Sequence, residues 1–158
     1  MRNHTIRAVL MAMIAAIALF GSDNSIGTWK MNFDKSRFPA AVATRPKGVW
    51  IEYEAIEGGV KATTRAELPD GRKVTGGYTA KYDGKDYPVT GATTDSISIR
   101  QIDANTFFVE EKKTGGKRHT QGQKVISPDG KTMTFTLEGT DDEGKPIKAM
   151  YVYEREQR

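Results

Sequence analysis

The stretch VKATTRAELPDGRKVTGGYTAKY, residues 60–82, decides the fold. Val60, Ala62, Thr64 and Ala66 alternate with Lys61, Thr63, Arg65 and Glu67. After Pro69-Asp70-Gly71 the alternation resumes, with Val74, Gly76, Tyr78, Ala80 and Tyr82 set against Lys73, Thr75, Thr79 and Lys81. A period of two marks a strand with one face turned to a core. Proline presets the first turn position and glycine supplies positive φ, so the join between the two runs is a reverse turn. Two such runs around one turn make an antiparallel hairpin.

The same grammar extends in both directions. Upstream, Val49, Ile51, Tyr53 and Ala55 share one face, and Glu52 and Glu54 take the other. Downstream, Ile97 and Ile99 alternate with Ser98 and Arg100, and Phe107 and Val109 with Phe108 and Glu110. Met133, Phe135 and Leu137 alternate with threonines, and Ile147, Ala149, Tyr151 and Tyr153 with Lys148, Met150 and Val152. Turn signals separate these runs at Gly58-Gly59, Asp83-Gly84, Gly91, Asp103-Ala104-Asn105, Gly115-Gly116, Pro128-Asp129-Gly130 and Glu143-Gly144. The Pro-Asp-Gly-basic unit occurs twice, which reads as turn chemistry used twice. The spacing predicts an all-β protein, an antiparallel up-and-down meander of about 8–10 strands. A twisted sheet of that size rids itself of exposed edges only by closing, so a barrel is expected, with a two-sheet β-sandwich as the alternative. The one helical candidate is a short turn within Asp34 to Val42, capped by Asp34 and stopped by Pro46.

The first residues read differently. Arg2 and Arg7 precede an apolar run from Ala8 to Phe20. A basic stretch followed by a short apolar one is the pattern of a secretory signal peptide, too short to span a bilayer. Ala16-Ile17-Ala18 predicts cleavage after Ala18, with a cut as late as Ser22 as the alternative, leaving residues 19–158 as one domain. Localisation is therefore expected to be extracytoplasmic, periplasmic or secreted, with no stable membrane anchor after cleavage. Removing Arg2 and Arg7 with the leader halves the formal net charge of +4, which takes away the compositional ground for a nucleic-acid partner. With 37% hydrophobic residues and a mean hydropathy of −0.56 over its full length, the chain has the make-up of an ordinary soluble domain. The chain has no cysteine, so disulfides, thiolate catalysis and a lipid-modified amino terminus are excluded.

Gly27-Thr28-Trp29-Lys30 opens the first strand. Gly-x-Trp in that position resembles the opening motif of the calycins: the lipocalins, fatty-acid-binding proteins and avidin-like barrels. The resemblance implies that Trp29 closes the barrel floor beneath a basic residue near the last strand, here Arg155, with Gly27, Trp29 and Arg155 as structural residues. Tyr151-Val152-Tyr153-Glu154 near the end, the strand count and the length are similar to the fatty-acid-binding branch. More closely, the chain resembles a group of exported bacterial lipocalin-like proteins of mostly unassigned function, through Gly27-Thr28-Trp29, Lys81 to Val89 and Pro128 to Met133. It departs from the fatty-acid-binding proteins twice. Residues 34–47 hold Pro39 and Pro46 in place of a helix–turn–helix lid, and Tyr153-Glu154-Arg155 reverses their carboxylate-gripping Arg-x-Tyr.

Candidate chemistry is sparse. His119 is the one histidine beyond the leader, and no Gly-x-Ser-x-Gly elbow presents a nucleophile, so no catalytic residue, metal or cofactor is expected. Glu52 with Glu54, and Glu110-Glu111-Lys112-Lys113, read as solvated strand faces, and Asp141-Asp142-Glu143-Gly144 as a polar hairpin turn. The tyrosines carry the binding expectation. Tyr78 and Tyr82 share one parity and Tyr151 and Tyr153 another, with Tyr87 just after a turn; inside a barrel they would present apolar bodies and polar tips to a ligand. The expected partner is a small apolar or amphipathic molecule in the lumen. The alternative is a solid barrel that docks on a protein, such as a protease, through Phe38 and Trp50.

Overall fold

The computed structural model describes residues 22–40, 42 and 44–157; the expected leader and its cleavage site at Ala18 lie outside them. Ten antiparallel strands form one closed sheet: β1 (Gly27–Met31), β2 (Gly48–Ile56), β3 (Gly59–Glu67), β4 (Lys73–Lys81), β5 (Tyr87–Thr90), β6 (Ser96–Gln101), β7 (Thr106–Lys112), β8 (His119–Ile126), β9 (Thr132–Thr140) and β10 (Pro146–Arg155). Each strand pairs with its neighbours in sequence, and β1 with β10 completes the ring, so the barrel and not the sandwich is the fold. The hairpin that decided the reading is β3–β4, in register from Gly59↔Lys81 to Glu67↔Lys73.

Because the strands run up and down in order, their connections fall alternately at two ends. The floor receives the β2–β3, β4–β5, β6–β7 and β8–β9 turns together with residues 22–26. The mouth receives the long β1–β2 connection and the β3–β4, β5–β6, β7–β8 and β9–β10 turns. The wall is narrowest at β5, which pairs over two residues with β4 and two with β6.

The predicted helical turn is corrected: no helix occurs among the described residues. The Asn32 side chain, not Asp34, takes the local backbone donor, accepting from the Lys35 N–H at 3.0 Å. The chain then exchanges two backbone hydrogen bonds between Arg37 and Met150 of β10, at 2.7 and 2.8 Å. Buried Ser36 secures the same crossing by accepting from the Val152 N–H at 2.9 Å. Pairing to a strand satisfies backbone groups that a Pro-interrupted helix would have left open.

The packed core occupies the floor half of the barrel. Trp29, Val60, Ile99, Phe107, Ile126 and Met133 are all at 2% exposure or less. Trp29 donates its indole N–H to the Ser25 carbonyl at 2.7 Å, and the Arg155 guanidinium lies 4.2 Å from the Trp29 ring centroid. Arg155 also donates to the carbonyls of Asn24, Ile26 and Gly130, each at 2.6 Å. Gly27 makes room for this: at φ 129° it is in a region that side chains rarely adopt, and a Cβ there would lie 2.6 Å from Arg155 Nη1.

Candidate functional site

Above the packed floor the barrel is hollow. A cavity of about 480 Å³ lies between the strands and the mouth, within the range of small-molecule sites. Its lining includes apolar side chains, Ile97, Val109, Met133, Phe135, Leu137 and Ile147. Interleaved with them are phenolic and other polar groups, Tyr53, Tyr78, Tyr151 and Tyr153 with Glu111, Arg118, Thr120 and Lys124; Phe135 pairs with Tyr151 and Ile97 with Glu111. Pro39 and Val42 of the β1–β2 connection, Thr93 and Thr94, and Asp141 line its mouth.

Strand parity positions these groups. On β7, Phe107, Val109 and Glu111 point inward, and on β8 Thr120 and Lys124 do so opposite them. On β10, Ala149, Tyr151 and Tyr153 follow the same rule. Burial lifts the phenols of Tyr53, Tyr78, Tyr151 and Tyr153 above their ordinary value, and the Glu111 charge adds to the rise at each. Burial likewise lifts the Glu111 carboxyl, with the Thr120 hydroxyl and the Arg118 charge acting against it.

Lys124 is 3% exposed and sits where cavity meets floor. Its ammonium lies 4.2 Å from the ring centroids of both Tyr53 and Phe107 and donates to Ser25 Oγ at 3.2 Å. The Ser25 hydroxyl in turn donates to Asp23 Oδ1 at 2.6 Å, and the Tyr82 hydroxyl donates to the other Asp23 oxygen. Burial pushes the Lys124 amine down to about 8, with the Asp23 charge as the opposing influence.

Of the tyrosines singled out in the sequence, Tyr78, Tyr151 and Tyr153 line the cavity. Tyr82 and Tyr87 are elsewhere. β4 ends at Lys81, so Tyr82 drops to the floor, its ring 5.3 Å from Phe107. Tyr87, at the start of short β5, donates to Asp83 of the preceding turn at 2.9 Å. Tyr53, Glu111, Lys124, Asp23 and Ser25 were not among the candidates. For Tyr53 and Glu111 the alternation itself was the signal, since each continues an inward face already read through Ile51 and through Phe107 and Val109.

Most of the remaining candidates are surface features. Glu52 pairs with Arg65 at 2.6 Å and Glu54 with Lys61 at 2.8 Å across β2–β3. His119 meets Glu110 at 2.8 Å, and Asp141 accepts from two backbone N–H groups of its own turn. No cluster of three metal-ligating side chains occurs among the described residues. Phe38 is half-buried, its ring 5.9 Å from Phe33 and 5.4 Å from Tyr151, under the Arg45 guanidinium. Trp50 is half-buried on the outer wall, bonded to Glu156 and flanked by Lys30. Neither is fully exposed, and Trp50 lies across from Lys30 on β2.

No protein-family model matches the chain, and no curated protein matches it. Among solved structures, it is similar to one described as EF1p2_mFAP2b bound to DFHBI, with a TM-score of 0.44 and 11% identity, over 84% of this chain and 94% of that one.

Proposed function

We propose that this chain is an exported, calycin-like barrel that binds a small amphipathic molecule in its interior and catalyses no reaction. The cavity carries this reading. It has the volume of a ligand site, apolar side chains to take the body of a ligand, and phenolic hydroxyls to orient a polar end. Binding would come from removal of the ligand's apolar surface from water, at roughly 25 cal/mol per Å². Export is read from the basic and apolar residues preceding Ser22, and the calycin kinship from Gly27, Trp29 and the Arg155 stack.

The test is a titration with the neutral dye Nile red, comparing the wild-type protein with Ala149→Trp, which fills the lumen from β10. Saturable binding at one site, lost in the variant while its unfolding remains cooperative, is the expected result. Equal binding by both proteins would place the dye outside the barrel and overturn the reading. The mass of the exported protein, taken under denaturing conditions, checks cleavage after Ala18.

A further inference from the structure

Four charged side chains line the cavity: Glu111, Arg118, Lys124 and, at its mouth, Asp141. Three already have partners. Arg118 donates to both carboxylate oxygens of Asp142, at 3.1 and 2.9 Å. Lys124 is held between the Tyr53 and Phe107 rings and bonded to Ser25. Asp141 accepts the N–H groups of Glu143 and Lys145, both at 2.9 Å. Glu111 makes no ion pair among the described residues; its hydrogen-bond partner is Thr120, directly across the β7–β8 ladder, and the Arg118 charge acts on it without forming a salt bridge. Around it stand the four cavity tyrosines, all close enough to feel its charge.

A carboxylate outside any salt bridge, set among phenol rings and facing a partly apolar hollow, is the complement of one ligand chemistry. We propose that the ligand is an organic cation, an amine or alkylammonium on an apolar body, with its charged nitrogen at Glu111 and its body against Phe135, Leu137 and Ile147. Phenol rings suit such a nitrogen because their π-electron density attracts cations and their oxygens accept N–H bonds. A bare metal ion does not fit, since a single carboxylate cannot replace its shell of oxygen ligands. The inference rests on the proposed function and adds the ligand's charge to it.

Calorimetry with three probes of like shape tests it: 4-phenylbutylamine, cationic at neutral pH; 4-phenylbutan-1-ol, neutral; and 5-phenylpentanoate, anionic. The amine is expected to bind at least tenfold more tightly than the alcohol, and Glu111→Gln to remove that advantage while leaving the alcohol's affinity within about twofold. Glu111→Asp, which keeps the charge but withdraws it by one methylene, should lose only part. An amine no tighter than the alcohol, an advantage that survives Glu111→Gln, or a carboxylate that binds most tightly would overturn the inference and leave the binding function standing. The wild-type ranking decides this even if a variant fails to fold. If none of the three binds, the cavity reading itself falls.

Discussion

Arg155 lies against Trp29 with its guanidinium 4.2 Å from the ring centroid, and the same fork donates to three backbone carbonyls from two separate stretches of chain. One side chain thus ties β10 to β1, to residues 24–26 and to the β8–β9 turn. Stacking on an indole contributes about 0.5–2 kcal/mol, and hydrogen bonds from a charged donor about 1.5–3 kcal/mol.

Arg155→Ala should therefore lower unfolding stability by about 3 kcal/mol in urea titrations. Arg155→Lys should restore less than half of the loss, because a single ammonium cannot reproduce a planar fork aimed at three carbonyls. Full rescue by lysine would reduce the contact to a point charge.

Trp29 is completely buried, so Trp29→Ala should cost about 3–5 kcal/mol. Trp29→Phe keeps most of the volume but leaves the Ser25 carbonyl without its donor, a loss of about 1–3 kcal/mol. Guanidinium titration of both variants separates the packing contribution from the hydrogen bond.

Lys124 makes stability depend on alkaline pH. Burial pushes its amine from 10.5 down to about 8 in the folded protein. Between those values the unfolded chain holds the proton and the folded chain releases it, so stability rises with pH through this window; below it, both states are protonated. The slope is at most about 1.4 kcal/mol per pH unit. Relative to Lys124→Met, which shares every other titrating group, the wild-type protein should gain about 1.5 kcal/mol between pH 8 and 9.5. A constant difference across that range would show that the amine is not desolvated.

On β8, Gly122 faces the Thr136 carbonyl of β9 so closely that a Cβ would fall on the carbonyl oxygen. The clash is with backbone on a central ladder and cannot be relieved by a rotamer change. Gly122→Ala should cost about 2 kcal/mol or more, read as a lowered thermal midpoint.

The barrel was legible because its turns and its period-two faces are local signals: each hairpin can be read from about twenty neighbouring residues. The stack of Arg155 on Trp29 was accessible only through a motif, since nothing local links residues so far apart. Glu111 was hidden by its neighbours. In Glu110-Glu111-Lys112-Lys113 the composition speaks for a solvated strand end, while the parity of Phe107 and Val109 speaks for the interior, and here parity prevails. Tyr82 and Tyr87 show the opposite: parity holds only within a strand, and Tyr82 lies just past the end of β4 while Tyr87 is the first residue of β5. The floor residues Asp23 and Ser25 carry no periodic signal at all, because they precede β1 and act through hydroxyl and carboxylate contacts to β4 and β8.

The bond from Arg155 to Asn24 bridges 131 positions of sequence, and β1 pairs with β10 from the opposite end of the meander. The clasp that shuts the ring is thus formed by the most distant partners in the molecule, whose loop-closure entropy is the largest the chain must overcome. Without that clasp the sheet would be a curled ribbon with two bare margins, each offering unpaired amides and carbonyls to any other extended chain. Weakening Arg155 or Trp29 consequently lengthens the time spent as a ribbon, and self-association during refolding should increase before any loss of the folded form is seen at equilibrium.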